Sequence, residues 1–441
     1  MGKKAEELSQ IQNAFAPSPL ISNDEQQEFY ENTSLARTGD RYSNVVESLF
    51  LQLSDSTEVV QHKLFIGHPG CGKTTELYQL LQKVKDNGFA AILGRCDLEL
   101  DSADVEYTDV LFLILDLLIQ LAKENEIELD DELVNSIYDY WRQDIEITES
   151  SCEHSEMTVV GDMQAKFGVA GLLKILSQIK GIIKNGSDSR MQIRQHIEPR
   201  SSELVNRIQQ VIEQISKQCE EKQMKKTPLV ILDGLDKIPL EQARKIFREN
   251  GSRFGVLNIH LIVTFPIALT YTPEYSDIQT WFPNPEKLPM IKLRKWENGG
   301  YVSDYREGTK TMTQMVSKRA DLNLFEEDVL QRLIKDTGGY IRDLFRCISR
   351  AAVRARSRKA ETISMDDAEM ALHNLESDIN GRYSEDMIPI MKRIYDGEKY
   401  VSSSDGITKL LQVGAVLEYN GERWCDLHPL VEKWLKSHGK I

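Results

Sequence analysis

The glycine-rich loop at residues 67–74 constrains this chain more than any other feature, because it lies between an apolar strand and an amphipathic helix. The spacing Gly67-x-x-x-x-Gly72 lets backbone N–H groups point inward and cradle phosphate oxygens. Lys73 adds a positive charge near the β and γ phosphates, the Thr74 hydroxyl can ligate Mg²⁺, and the N-terminal end of the helix attracts the same anion. The pattern predicts a site for ATP and Mg²⁺ formed by Gly67, His68, Pro69, Gly70, Cys71, Gly72, Lys73, Thr74 and Thr75.

Apolar runs predict five strands, at residues 62–66, 89–95, 229–232, 260–264 and 290–293. The succession of strand, loop, helix and strand is typical of a parallel α/β sheet. Helices followed by a tight Asn420-Gly421 turn give the C-terminal region the outline of a winged helix. We therefore expect an α/β fold with a parallel five-stranded P-loop sheet, a helical insertion, an α-helical lid and a C-terminal winged-helix domain.

These patterns divide the chain into segments with different roles. Residues 1–60 lead into the core, and residues 61–106 and 221–297 form the P-loop core. Residues 107–220 form the helical insertion, residues 298–380 the lid and residues 381–441 the winged-helix domain. Within the lid, Ser364 and Asp367 have the spacing of a capping box, which predicts a helix start.

The apolar run that ends at Asp233 predicts a second part of the site. A buried strand delivers this carboxylate beside the phosphate loop, where it would hold Mg²⁺ directly or through water. A general base must polarise the attacking water. Asp236 is the first candidate, Asp97 and Glu99 are the alternatives, and a helix-capping role for Asp236 remains open.

Composition excludes several classes of protein. The chain has 441 residues, 41% of them hydrophobic and 28% charged, with a formal net charge of −15. Such acidity disfavours non-specific coating of nucleic acid, and no run is long and apolar enough to cross a bilayer. Six scattered cysteines are typical of reduced thiols. We expect a cytoplasmic protein that does not bind membranes.

The combined motifs resemble AAA+ ATPases, in particular the branch shared by origin-recognition-type initiators and STAND signalling ATPases. The resemblance covers about residues 20–441. It implies that Thr264 is the polar "sensor 1" residue, and that Arg342, after Gly338-Gly339, is the "sensor 2" arginine of the lid. It also implies that Arg37 and Tyr30 lie near the base.

Two departures from the family pattern bear on hydrolysis. Many members have Glu directly after the aspartate that ends the Walker B strand. In this chain that aspartate is Asp233, and Gly234 follows it. Oligomeric members carry an arginine finger before the last strand, but residues 265–291 contain no arginine. Slow turnover or a nucleotide-locked switch therefore fits better than rapid hydrolysis in a closed ring, although a finger from elsewhere, such as Arg319, remains possible.

Two C-terminal features leave the partner open. Arg342, Arg346, Arg350 and Arg354 repeat every four residues and form one helix stripe. The stripe could meet nucleic acid or an acidic partner, but a solvated or intramolecular role is favoured. Lysines and arginines balance the acids in residues 382–441, which favours a locking or partner-binding winged helix over a DNA-binding one. His428 could contact nucleotide or lie in the core.

Three functions are consistent with the sequence. The leading hypothesis is a Mg-ATP-dependent ATPase that acts as a switch for a protein partner or for homo-oligomer formation. Bacterial members with this layout often serve in conflict or antiviral defence, which is implied by the resemblance alone. The second hypothesis is a DNA-binding initiator or remodelling ATPase, and the third is a non-catalytic scaffold that retains nucleotide.

Overall fold

The computed structural model describes residues 4–40, 42–56, 59–151, 169–297, 300–420 and 423–441. Its centre is a five-stranded parallel sheet with the order β2-β3-β4-β1-β5. The strands are β1 (His62–Gly67), β2 (Phe89–Arg95), β3 (Lys225–Asp233), β4 (His260–Pro266) and β5 (Glu286–Lys287). With the glycine loop after β1 and an acid at the end of β3, the parallel five-stranded sheet predicted from the sequence is confirmed.

The fifth strand was predicted at the wrong residues. The edge strand is Glu286–Lys287, which pairs with Phe65 and Ile66 of β1. Met290, in the apolar run expected to form that strand, donates its N–H to Glu418 O at 3.1 Å. The run is apolar because it is buried against the C-terminal hairpin and the lid, not because it belongs to the sheet.

Twenty-one helices are formed by the described residues. The first eleven are α1 (Ile11–Ala14), α2 (Asn23–Phe29), α3 (Ser34–Thr38), α4 (Val45–Asp55), α5 (Lys73–Asp86), α6 (Cys96–Glu99), α7 (Tyr107–Glu124), α8 (Asp131–Ser151), α9 (Val169–Asn185), α10 (Ser187–Ile197) and α11 (Ser201–Glu221). The others are α12 (Leu240–Arg244), α13 (Gly251–Gly255), α14 (Tyr275–Gln279), α15 (Arg306–Arg319), α16 (Val329–Asp336), α17 (Ile341–Ser357), α18 (Met365–Asn380), α19 (Ile388–Tyr395), α20 (Asp405–Val413) and α21 (Pro429–Ser437).

Helices α7 and α11 of the insertion pack directly against the sheet. Helix α7 is buried along almost its whole length, and its two buried acids, Asp109 and Asp116, are ion-paired within the insertion. Helix α11 places an apolar residue every three or four positions towards α7 and β3. The insertion and the sheet therefore share one hydrophobic core.

The lid and the C-terminal region share a second core. The capping box is confirmed: Ser364 and Asp367 satisfy the first amides of α18. After the lid come α19 and α20, an antiparallel hairpin of β8 (Val416–Tyr419) and β9 (Trp424–Leu427), and α21. The predicted turn residue Gly421 lies outside the described residues. A further antiparallel pair, β6 (Arg294–Glu297) and β7 (Gly300–Asp304), precedes the lid.

The N-terminal segment packs on the lid. Leu8, Ile11 and Phe15 are buried, and the Phe15 ring lies 5.2 Å from that of Phe345 in an edge-to-face contact. Ala5 N–H donates to Arg319 O at 2.8 Å. The polar composition of this region concealed these contacts, because only every third or fourth residue is buried.

None of the helices formed by the described residues is long and apolar enough to span a bilayer.

Candidate nucleotide site

The phosphate loop joins the end of β1 to the start of α5. Gly70 and Gly72 have φ angles of 88° and 111°, a region that favours glycine. A Cβ on Gly70 would lie 2.4 Å from Arg342 Nε, so a larger residue cannot fit without displacing that arginine. Both the loop conformation and the position of Arg342 therefore require a glycine at residue 70.

Lys73 is buried at the base of this loop. Its Nζ donates to Gly67 O at 2.7 Å and His68 O at 2.9 Å, and it lies 2.9 Å from Asp236 Oδ2. Burial disfavours the ammonium, but the attraction of Asp236 outweighs it and raises the pKa of Lys73. The charge is thus retained at the site where phosphate oxygens would bind.

Thr74 and Asp233 meet at the edge of the sheet. Thr74 Oγ1 donates to Asp233 Oδ2 at 2.7 Å, while Asp233 Oδ1 is buried without a hydrogen-bond partner among the described residues. Burial, reinforced by the Asp236 carboxylate, raises the pKa of Asp233. A hydroxyl beside a buried carboxylate oxygen without a partner fits Mg²⁺, which takes one or two protein oxygens plus phosphate oxygens and water.

Sequence reasoning missed Arg95, the last residue of β2. Its Nε lies 3.2 Å from Asp233 Oδ2, and its guanidinium donates to both oxygens of Asp97 at 3.0 Å. Arg95 pairs in register with Asp233 on β3. Because the carboxyl ends of parallel strands share one edge, the position of Arg95 at the end of β2 was the signal that could have identified it.

The candidate bases differ in how they are paired. Asp97 accepts from Lys237 at 2.6 Å as well as from Arg95, and Glu99 lies 3.1 Å from Lys180 Nζ. Asp236 is buried in the short 3₁₀ turn Leu235–Lys237 and lines the cavity beside the loop. Its partner is Lys73, which is itself a phosphate-loop residue.

Thr264 lies below the site and not in the cavity. It is fully buried, and its Oγ1 accepts from Gly234 N at 2.8 Å. Gly234 has φ 101°, and a Cβ there would lie 2.8 Å from Asp97 N. The Thr264 hydroxyl holds the turn after Asp233, and the close approach of Asp97 leaves no room for a side chain at Gly234.

Arg342 lies over the phosphate loop at the start of α17. It is half-buried, and its guanidinium forms no ion pair or hydrogen bond within the described part of the chain. Lys73 and Arg95, by contrast, are both paired with carboxylates. Arg342 therefore presents an uncompensated charge to the space above Gly70.

Arg37 and Tyr30 both line the cavity, but each already has partners. Buried Arg37 donates from Nε to Thr33 Oγ1 at 2.7 Å, from Nη2 to Cys71 O at 2.6 Å, and from Nη1 to Pro289 O. Tyr30 donates to Glu76 Oε2 at 3.0 Å. Arg37 thus supports the phosphate loop from behind.

The cavity has a volume of about 300 Å³. The phosphate loop and the first turn of α5 form one side, and the N-terminal segment and the lid form the other. Its lining includes Pro17, Leu20, Phe29, Tyr30, Arg37, Gly70, Gly72, Lys73, Thr74, Thr75, Glu76, Arg95, Asp97, Asp236, Met315, Arg319, Ile341, Arg342 and Phe345.

The outer side of the phosphate loop contacts the C-terminal hairpin. Glu418 N on β8 donates to His68 Nε2 at 2.9 Å, and the Tyr340 hydroxyl, just before α17, donates to Pro69 O. Burial, together with Lys73, lowers the pKa of His68 to about 3, so the ring is a neutral acceptor. The loop therefore lies between the cavity and the hairpin.

The other C-terminal candidates face the protein interior. His428 is fully buried, with Nε2 3.8 Å from Asp343 Oδ2. Apart from Arg342, the arginine stripe on α17 is paired within the lid: Arg350 lies 3.2 Å from Asp378, and Arg354 lies 3.3 Å from Asp367. This is the intramolecular arrangement favoured from the sequence.

Comparisons with known proteins give similarity in solved structures alone. No protein-family model and no curated protein matches the chain. The Cdc6p protein of Pyrobaculum aerophilum aligns at 12% identity and a TM-score of 0.39, covering 97% of this chain and 98% of that one. The ADP form of Aeropyrum pernix ORC2 aligns at 12% and 0.40, covering 93% and 96%. The RuvB Holliday junction branch migration motor of Thermotoga maritima aligns at 14% and 0.38, covering 96% and 98%. At these scores we draw no functional argument from them.

Proposed function

We propose that this chain is a Mg-ATP-dependent switch of the AAA+ kind that hydrolyses ATP slowly. Lys73 and Arg342 bind the phosphates, Thr74 and Asp233 hold Mg²⁺, and Asp236 orients the attacking water. Support comes from the position of Lys73, Thr74, Asp236 and Arg342 around one cavity, from the bond between Thr74 and Asp233, and from the unpaired charge of Arg342.

Slow hydrolysis follows from the pairing of Asp236. The Asp236 carboxylate lies 2.9 Å from the Lys73 ammonium, so it is engaged in an ion pair. It is released to orient water only when Lys73 turns towards phosphate oxygens instead. Mg²⁺ would supply charge neutralisation of the phosphates.

The contact between His68 and Glu418 carries the switch proposal. The phosphate loop touches the cavity on one side and the C-terminal hairpin on the other. A nucleotide can shift the hairpin only if it binds the docked and released states with different affinity. In this proposal the lid (298–380) and winged helix (381–441) move relative to the core (61–106 and 221–297), and the insertion (107–220) meets a protein partner or another copy.

Light scattering with ADP and with a non-hydrolysable ATP analogue tests the switch. We expect a mass increase with the ATP analogue alone, absent in Lys73→Ala and retained in Lys85→Ala, a surface lysine of the same helix. Equal masses under all conditions would count against homo-oligomer formation, and the same comparison repeated with a candidate partner tests partner binding.

Phosphate release separates the switch from a nucleotide-retaining scaffold. We expect slow release from the wild-type protein and none from Asp236→Asn, with ATP still bound by both. Bound nucleotide without release from the wild type would favour the scaffold instead. An antiviral role rests on family resemblance alone, and loss of phage protection in Lys73→Ala cells tests it.

A further inference from the structure

Arg319, the last residue of α15, is a buried cation in the lid wall of the cavity. It is 5% exposed, and no carboxylate forms an ion pair with it in the described ranges. Its Nη1 donates to Phe29 O and Met315 O, each at a long 3.3 Å, and its Nε has no partner. The neighbouring Lys318, in contrast, pairs with Glu31 at 2.8 Å.

Burying a guanidinium without a counter-charge opposes folding. Burial lowers the pKa of Arg319 to about 10, which reflects that cost. Two aromatic rings offset it in part: Cζ lies 4.8 Å from the centroid of Phe345 and 5.5 Å from that of Phe29. An apolar side chain of similar length would satisfy this environment better, so stability alone does not account for an arginine.

The position of Arg319 in the cavity indicates which part of a nucleotide it meets. The N-terminal segment that carries Phe29 is joined to the first turn of α5, since Leu20 N donates to Thr75 Oγ1 at 3.3 Å. Ile341 lies next to Gly72, and Phe345 follows one turn later on α17. The Arg319 wall is therefore adjacent to the phosphate loop within the same cavity. Since Lys73, Thr74 and Arg342 take the phosphates in the proposed site, this wall is left to meet the base.

We propose that Arg319 binds the base of the nucleotide by donating hydrogen bonds to acceptor atoms of a purine. This deepens the proposed ATP site and rests on it. A guanidinium presents several N–H groups in a planar fork. Both adenine and guanine offer N7 as an acceptor, and guanine adds O6 beside it. Arg319 would therefore set the affinity for the base without contacting the phosphates.

Binding measurements with and without the base test this assignment. Calorimetry with Mg²⁺ would compare ATP, GTP and tripolyphosphate on the wild type and on Arg319→Met. Loss of a charge-assisted hydrogen bond should weaken ATP and GTP binding roughly tenfold to a hundredfold. Tripolyphosphate affinity should not change. Arg332→Met, at a surface ion pair of the lid, is the matched control.

Thermal unfolding without nucleotide separates ligand binding from a structural role. If Arg319 stabilised the fold, its replacement would lower the melting temperature. Arg319→Met should melt at the same temperature as the wild type or higher, because it removes a buried charge. Arg319→Lys keeps the charge without the planar fork, and it should also lose ATP affinity. It is the variant to measure if Arg319→Met does not fold.

The outcomes distinguish this inference from the proposed function. Equal loss of ATP and tripolyphosphate affinity, or unchanged ATP affinity in the variants, would overturn the base-binding role while leaving the ATP site intact. Failure of the wild type to bind any nucleotide would instead refute the proposed function, and the inference with it.

Discussion

At the scale of single residues, Gly70 links the conformation of the loop to the lid. Its left-handed backbone and its contact with Arg342 both require a residue without Cβ. We expect Gly70→Ala to weaken Mg-ATP binding roughly tenfold or more, because an alanine there costs about 1–3 kcal/mol and displaces the arginine.

Titration of the protein with an ATP analogue measures that loss. The matched control is Gly181→Ala in α9, where a Cβ meets nothing within 4 Å. That change should leave binding unaltered and raise the free energy of unfolding by about 0.5–1 kcal/mol. Equal affinity in Gly70→Ala and the wild type would contradict the geometry of the loop.

His68 predicts how stability depends on pH. Burial and Lys73 lower its pKa to about 3 in the folded protein, against 6.5 unfolded. Below pH 6.5 the unfolded chain therefore binds a proton that the folded chain does not, and the free energy of unfolding falls as pH decreases towards 3. His428 and His260, with lowered pKa values of about 3 and about 4, act in the same direction.

Urea unfolding between pH 7.5 and 4.5 measures this dependence. His68→Gln should reduce the slope by about one proton, because it removes one of the buried titrating rings. Parallel slopes for the two proteins would show that protonation of His68 does not oppose folding.

The residue spacing predicted some parts of the site and not others. Thr74 and Asp233 meet because a loop after one strand and an acid at the end of another share the edge of a parallel sheet. Tertiary packing buries Arg37 behind the loop and brings Thr264 to Gly234. The sequence around these residues therefore does not predict either contact.

At the scale of elements, the start of α18 joins two parts of the lid. Asp367 accepts from Ser364 N at 3.0 Å and from Arg358 Nη2 at 2.7 Å. We expect Asp367→Ala to lower the free energy of unfolding by about 1–2 kcal/mol, because it removes half of the capping box. Chemical denaturation followed by circular dichroism measures the change.

Asp366 provides the control for this prediction. It precedes Asp367 in the same helical turn but is exposed. Asp366→Ala should therefore cost much less than Asp367→Ala. Similar losses in both variants would mean that general helix-end electrostatics, and not the specific capping contacts, stabilise α18.

Long periodic elements were predictable, while short ones were not. Helix α17, which carries the predicted arginine stripe, spans Ile341–Ser357, and its apolar face repeats over several turns. The two-residue strand β5 has no such periodicity, so the adjacent apolar run at 290–293 was mistaken for it. The short helices before β1 were concealed for the same reason.

At the scale of the whole molecule, the chain forms its candidate site between elements that are far apart in sequence. The loop after β1 contacts α17 and β8, more than 250 residues later. We expect the Glu418 amide to exchange hydrogen faster with an ATP analogue bound than with ADP, because the proposed switch breaks its bond to His68.

Hydrogen exchange resolved to single amides tests this expectation. The His428 amide, which bonds to Ala415 O within the C-terminal region, should exchange at the same rate in both nucleotide states. Lys73→Ala should remove the difference at Glu418. Identical protection of Glu418 with both nucleotides would show that the hairpin does not respond to the cavity.

The bond between His68 and the hairpin implies a reciprocal relation. If nucleotide alters the docking equilibrium of β8, then any molecule that pulls β8 away must alter nucleotide affinity by the same factor, as thermodynamic linkage requires. The dissociation constant of a fluorescent nucleotide would then change when a molecule binds the C-terminal hairpin. An unidentified partner could be recognised by its effect on that constant before its own binding site is known.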